Sequence, residues 1–139
     1  MNPPHKKRLP VSPEDWLLHA ESDLKLAKLA LDQGILPEQI CFHAQQAVEK
    51  SMKAALLSSS VDFPFSHDLE ELIYILEHAG IDLPSGLREA GTLTPYAVES
   101  RYPGYWGEIA KNDVVDAIEL AEKAFGWAKE FVQKQKPGD

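Results

Sequence analysis

The stretch FHAQQAVEKSMKAAL, Phe42–Leu56, places small apolar residues among charged and amide side chains at helical spacing. With successive residues about 100° apart, one side of such a helix is apolar and narrow. Small residues let a neighbouring helix approach closely, so we predict that this is the central helix of a bundle, running from Pro37 to about Ser58. The side predicted to be buried comprises Ile40, Ala44, Ala47, Val48, Ser51, Met52 and Ala55.

The opposite side of this helix is polar, and Phe42 and Leu57 lie among its polar residues. We interpret it as a solvated or partner-facing surface, and the alternative is a binding site. Gln45 falls at the edge of the apolar side, where a buried amide would need hydrogen-bond partners. The polar set comprises His43, Gln46, Glu49, Lys50 and Lys53.

Capping signals and apolar periodicity predict further helices on both sides of the central one. The first runs from a Ser12 cap to Gly34, the third from about Ser66–Asp68 to Gly80, and the last starts at an Asn112 cap. No segment alternates apolar and polar residues for long enough to indicate a sheet. We therefore predict an all-α fold, an antiparallel up-and-down bundle of four to five helices.

The segment between the third and last helices has a weaker pattern. Leu87–Leu93 is compatible with a short helix, and Thr94 and Pro95 with a fresh cap, whereas RYPGYWG, residues 101–107, is predicted to be a loop. We expect residues 1–11 to form a flexible arm and residues 12–135 to form one domain.

Composition limits the functional classes. The chain has 139 residues, 44% of them hydrophobic, and a formal charge of −8, which argues against a general nucleic-acid coat but leaves room for a local basic pocket. The single cysteine, Cys41, cannot form an internal disulfide, and no segment is apolar and long enough to span a membrane, so we expect a cytoplasmic protein.

Two groups of residues in the second half of the chain are candidates for function. Arg101 with Tyr102, Tyr105 and Trp106 combines a guanidinium for phosphate with rings that can stack on a base, although the same aromatics could close one end of the bundle. Trp127 and Phe131 lie beside the apolar stripe of the last helix. They pack either on the N-terminal arm or in a dimer interface, and we favour the dimer.

Histidines offer a third possibility. His67 and Asp68 could form an acid–base pair, but a capping role at the start of the third helix is the simpler interpretation. The histidines show no spacing typical of a metal site, so no metal and no cofactor are predicted.

The string FHAQQAVEKSMKAAL, followed by HDLEEL and then by RYPGYW ahead of a long last helix, resembles the HEPN family of small all-helical prokaryotic domains. The similarity covers roughly residues 14–133. It implies a bundle that often dimerises, binds nucleotides or RNA, and is frequently encoded beside a minimal nucleotidyltransferase. In many relatives the domain is a metal-independent ribonuclease that acts as a toxin.

One feature of those ribonucleases is absent. They use an arginine followed after four to six residues by a histidine, because the reaction needs a cation for the phosphate and an imidazole that moves a proton. No histidine follows Arg8, Arg88 or Arg101 at that spacing. His43 or His67 could substitute in space, but nothing in the sequence requires it.

The resemblance and this departure lead to three hypotheses. The preferred one is a noncatalytic toxin–antitoxin-type module that binds a nucleotide or RNA and acts with a minimal nucleotidyltransferase partner. The rivals are a metal-independent endoribonuclease toxin with an atypical site and a pure dimerisation or interaction domain. The residues predicted to bind the nucleotide or RNA are Arg101, Tyr102, Tyr105, Trp106, Gln46, Lys50 and Lys53.

Overall fold

Four α-helices and one 3-10 helical segment make up residues 11–97 and 108–135, which are the part of the chain that the computed structural model describes. The helices are α1 (Pro13–Ala30), α2 (Pro37–Ser58), α3 (Leu69–His78) and α4 (Lys111–Gln135), and the 3-10 segment is Leu87–Ala97. No strand occurs within the described ranges. The predicted all-α bundle is confirmed.

Helix α1 begins where its capping signals predict. The Ser12 hydroxyl accepts from the Asp15 amide at 3.1 Å, and the Asp15 carboxylate accepts from the Ser12 amide at 3.0 Å. These bonds to Ser12 hold the pKa of the Asp15 carboxyl below its usual range, because they favour the charged form. The helix ends at Ala30, before the predicted Gly34, and Gly34 adopts a positive φ of 74° in the turn that follows.

Helix α2 lies at the centre of the bundle and contacts α1, α3, α4 and the 3-10 segment. Its boundaries agree with the predicted ones. Every residue on its predicted apolar side is buried, including Ala44, Ala47 and Ser51, whose small side chains let the flanking helices approach.

Helix α3 and the 3-10 segment are joined by a cap that the sequence assigned differently. Asp68 is the N-cap of α3, as predicted, and accepts from the Glu70 amide at 3.0 Å. The Thr94 hydroxyl accepts from the Leu69 amide at 3.0 Å. Thr94 therefore satisfies a backbone donor of α3 rather than starting a new helix, and the 3-10 segment continues through Pro95.

Helix α4 begins at Lys111, one residue before the predicted Asn112 cap. The Asp113 carboxylate accepts from the Ala110 amide at 3.0 Å, so Asp113 closes this helix start instead of Asn112. The Lys111–Asp32 and Lys28–Glu122 ion pairs join the start of α4 to the end of α1, so the two helices are antiparallel. None of the described helices combines the length and apolar character needed to cross a membrane.

Candidate functional site on the second helix

The polar side of α2 differs from the prediction at two residues. Glu49 and Lys53 were expected on a solvated face, but they are 3% and 4% exposed. A helical projection of α2 alone cannot show this burial, because the covering groups come from α1 and from the loop between α2 and α3. Gln45 is fully buried, and its predicted need for partners is confirmed.

The buried residues form what we call the Glu49 cluster: Gln45, Glu49, Lys53 and His67. One carboxylate oxygen of Glu49 accepts from the Gln45 amide at 3.1 Å and contacts Nδ1 of His67 at 2.9 Å. The other oxygen accepts from the Lys53 ammonium at 2.9 Å. The Gln45 amide also donates to the backbone oxygen of His67 at 3.3 Å. Both oxygens of this buried carboxylate are therefore occupied, as a buried charge requires.

Aromatic rings cover the lysine of the Glu49 cluster. The Lys53 ammonium lies 5.5 Å from the ring centroid of Trp16 and 5.8 Å from those of Phe63 and Phe65. Trp16 comes from the first turn of α1, and it meets Phe63 edge to face at 6.4 Å. The ring faces and the Glu49 carboxylate together compensate an ammonium that has lost most of its water.

His67 has a second role beside the predicted cap. The residues around it, Ser66 and Asp68, arrange the start of α3 through their side chains, which confirms the capping interpretation. Its own imidazole, however, contacts Glu49, and the side chain is still 47% exposed. The Glu49 cluster thus presents one titratable group to solvent.

A second arrangement of the same groups lies between α1 and α2, and we call it the Asp23 cluster: Asp23, His43 and Lys50. One carboxylate oxygen of Asp23 contacts Nδ1 of His43 at 3.0 Å, and the other accepts from the Lys50 ammonium at 2.6 Å. These side chains are partly exposed, the carboxylate least and the imidazole most. Both clusters therefore have a carboxylate shared by an imidazole and an ammonium.

Gln46 connects to the Glu49 cluster, since its amide donates to the Gln45 side-chain oxygen at 2.7 Å. Of the predicted binding residues, Gln46 and Lys50 are thus half-buried on the surface of α2, whereas Lys53 lies beneath aromatic rings. The other predicted binding residues, Arg101, Tyr102, Tyr105 and Trp106, lie outside the described residues.

Sequence reasoning missed Asp23 and the aromatic cover. Asp23 was one of several acids on an amphipathic helix, and no spacing rule links it to residues 20 and 27 positions later. Trp16 was counted only as part of the apolar stripe of α1. Their signal was indirect: helix α2 carries more lysines and glutamines than a central helix can leave unpaired, so acids and rings elsewhere had to meet them.

The chemistry available to these clusters follows from their contacts. A carboxylate that accepts from Nδ1 of a neutral histidine fixes the tautomer and leaves Nε2 as the nitrogen for a ligand or a proton. Each lysine is paired with the same carboxylate, so each cluster is close to electrically neutral. Within residues 11–97 and 108–135, no three histidine, cysteine or carboxylate side chains are grouped so that they could hold a metal ion.

Other reactive groups in the described ranges are occupied elsewhere. The guanidinium of Arg88 pairs with the Glu77 carboxylate. Burial raises the pKa of the Cys41 thiol to about 11, and burial raises the pKa of its hydrogen-bonded neighbour Tyr96 to about 12. We therefore expect the Cys41 thiol to be unreactive.

The arrangement of the helices and clusters can be compared with known proteins. The family model described as HEPN domain matches residues 13–131, most of the chain. The chain belongs to the HEPN domain family. This result confirms the resemblance based on the glutamine-rich helix, the HDLEEL segment and the RYPGYW segment.

Individual relatives agree with this HEPN assignment. The Methanocaldococcus jannaschii protein named "Putative toxin MJ1304" is 28% identical over 134 residues, which cover 86% of this chain and 88% of that protein. The crystal structure of ST0689, an archaeal HEPN homologue, superposes with a TM-score of 0.71 at 26% identity, over 87% of this chain and 98% of the other. The crystal structure of TT1696 from Thermus thermophilus gives 0.72 at 27% identity, over 89% and 98%.

Proposed function

We propose that this HEPN protein is a toxin–antitoxin-type module that binds a nucleotide or single-stranded RNA without cutting it and acts with a minimal nucleotidyltransferase partner. The observation that carries the proposal is its HEPN membership over nearly the whole chain, together with a relative named as a toxin. The surface of α2 supports it, because Gln46, His43 and Lys50 bring an amide, an imidazole and an ammonium to one side of a helix.

The electrostatics of the described residues favour binding over cleavage. Metal-independent RNA cleavage needs a cation near the phosphate and groups that take up and deliver protons. Arg88 is paired with Glu77, and each lysine of the two clusters is paired with a carboxylate. Arg101 is the cation that we expect to contact phosphate.

A binding titration tests this function. We expect labelled single-stranded RNA to bind the purified protein and Arg101→Ala to weaken binding by roughly 1.5–3 kcal/mol, the value of a charge-assisted hydrogen bond. The same RNA, incubated with the protein in EDTA, should stay intact. Equal affinity of wild type and Arg101→Ala would show that Arg101 does not contact the ligand.

The partner is tested separately. If the chain acts with a minimal nucleotidyltransferase, the protein encoded beside it should have that fold and copurify with it after coexpression. We also propose a homodimer, because the rings of Trp127 and Phe131 form a half-buried pair on α4 with centroids 5.7 Å apart. Sedimentation should then give twice the 15.5 kDa monomer mass, and a monomer at high micromolar concentration would exclude it.

A second candidate function, a metal-independent endoribonuclease, is favoured by one contact. His67 is half-exposed while its Nδ1 lies 2.9 Å from the buried Glu49 carboxylate, an arrangement suited to a general base. Cleavage in EDTA that is abolished by His67→Ala and kept by His43→Ala would establish this alternative. His43 is the matched control because it also pairs with a carboxylate through Nδ1.

A further inference from the structure

The most exposed large apolar side chain in the described ranges is Phe65, which is 99% exposed. Its ring lies in the loop between α2 and α3, with its centroid 6.3 Å from that of His67 at an interplanar angle of 70°. The residues next to it are solvent-accessible, and Ser66 and His67 are polar. Phe65 is therefore a single ring with polar neighbours rather than part of a broad apolar patch of the kind that docks helices.

The surroundings of this ring are held in place from below. The Lys53 ammonium lies 5.8 Å from the Phe65 centroid and is fixed by Glu49, which also holds the imidazole of His67. The backbone of His67 is tied to α2 by the Gln45 amide. An exposed ring beside a positioned imidazole, both anchored to one buried carboxylate, forms a preorganised surface, and preorganisation lowers the entropic cost of binding.

We propose that Phe65 and His67 form a subsite for one nucleotide of single-stranded RNA, with the base stacked on Phe65 and the ribose 2′-hydroxyl bonded to Nε2 of His67. Aromatic rings are platforms for unpaired bases because every base has a π face. When Glu49 accepts from Nδ1 of the neutral imidazole, Nε2 becomes an acceptor, and the 2′-hydroxyl is a donor that DNA lacks. This inference rests on the proposed RNA-binding function and assigns it residues that lie apart from the Arg101 segment.

The charges near the subsite fit a base better than a row of phosphates. Asp62 is exposed in the same loop, while the Asp68 carboxylate caps α3 and the Lys53 ammonium is paired. Without an unpaired lysine or arginine among these residues, little of the binding here should depend on phosphate charge. We expect the contribution of Phe65 to persist as salt is raised, in contrast to binding that releases counterions.

The test measures the affinity of the full chain for a labelled oligouridylate and for an abasic strand of equal length and charge. Phe65→Ala should weaken binding of the oligouridylate by about 5- to 150-fold, the equivalent of the roughly 1–3 kcal/mol that loss of a stacking ring costs. Binding of the abasic strand should not change, and Phe65→Trp should retain the wild-type affinity. Oligodeoxyuridylate should bind more weakly than oligouridylate to wild type, and His67→Ala should remove that difference.

Tyr74→Ala is the matched control, since Tyr74 is also an exposed ring, 64% accessible and stacked on a histidine, His78, at 5.5 Å. It should leave oligouridylate binding unchanged. An oligouridylate affinity unaffected by Phe65→Ala would overturn the subsite while leaving the RNA-binding function intact. Equal weakening of both strands, or loss of a protein partner with unchanged RNA affinity, would also overturn it, whereas a wild type that binds neither strand would overturn both proposals.

Discussion

The Glu49 cluster and the Asp23 cluster contain the same three kinds of group in the same connectivity, yet they lie in different environments. In each, one carboxylate oxygen meets Nδ1 of a histidine and the other meets a lysine ammonium. Asp23 and its partners are all partly accessible to water, whereas Glu49 and Lys53 are almost completely buried beneath aromatic rings. The comparison separates the effect of the contacts from the effect of burial.

Burial changes what such a pair contributes. An ion pair that keeps its water gains little, because the attraction is screened and two side chains must be held still. A pair removed from water has a desolvation cost that its mutual attraction must offset, so the loss of one partner leaves a costly uncompensated charge. We therefore expect the Glu49 cluster to be sensitive to single substitutions and the Asp23 cluster to tolerate them.

The largest difference should follow from removal of the buried carboxylate. Glu49→Leu leaves the Lys53 ammonium beneath its rings without a counter-charge, and we expect the free energy of unfolding to fall by roughly 3–5 kcal/mol. Chemical denaturation measures it. The double variant Glu49→Leu, Lys53→Met should recover most of that loss, because apolar residues of similar size replace the whole pair. A double variant as unstable as the single one would show that the buried ammonium is not the cause.

The two lysines should also differ in chemical accessibility. Reductive methylation of the native protein, followed by peptide mass spectrometry, should modify Lys50 well before Lys53, because Lys53 is 4% exposed and covered by Trp16 and Phe63. Lys25, exposed on α1, provides the reference for an unhindered amine. Equal rates at Lys50 and Lys53 would mean that the rings do not cover Lys53 in solution.

This contrast between the lysines also shows where prediction from the sequence ended. The helix starts at Ser12, Pro37 and Asp68 were predictable, because caps and proline act within one turn of the chain. The buried side of α2 was predictable because it depends only on helical spacing. Lys53 could not be separated from Lys50, since what separates them is a tryptophan 37 positions earlier and a loop that follows α2.

The candidate site was predictable only in its residue types. The glutamines, lysines and His43 of α2 were correctly singled out as an unusual set, and His67 was recognised as having two possible roles. Their partner Asp23 and the exposure of Phe65 depend on how α1 and the loop approach α2, which no local pattern encodes. Long-range pairing of charges is therefore the information that the structure adds.

A smaller effect is expected from the exposed partner of this comparison. Asp23→Asn should lower the free energy of unfolding by roughly 1 kcal/mol or less, as for accessible ion pairs. In about 1 M salt, where the Debye length is about 3 Å, this difference should shrink. The loss caused by Glu49→Leu should not, because salt screens buried charges poorly. A loss at Asp23 as large and as salt-resistant as that at Glu49 would remove the distinction between the clusters.

The smallest effect concerns the helix end that supplies part of the aromatic cover. Trp16 follows Asp15, whose carboxyl pKa is lowered by its bonds to Ser12, so the charged form stabilises this first turn. A lowered pKa means that the stabilisation is present above the unfolded value, 3.8, and is lost as pH falls through the lower folded value. Hydrogen exchange at the Asp15 amide should therefore become less protected, relative to amides in the middle of α1, only below about pH 4. Ser12→Ala should abolish this protection at neutral pH and raise the methylation rate of Lys53 but not that of Lys50. If acid and Ser12→Ala leave both lysines unchanged, the cover over Lys53 does not depend on the helix start.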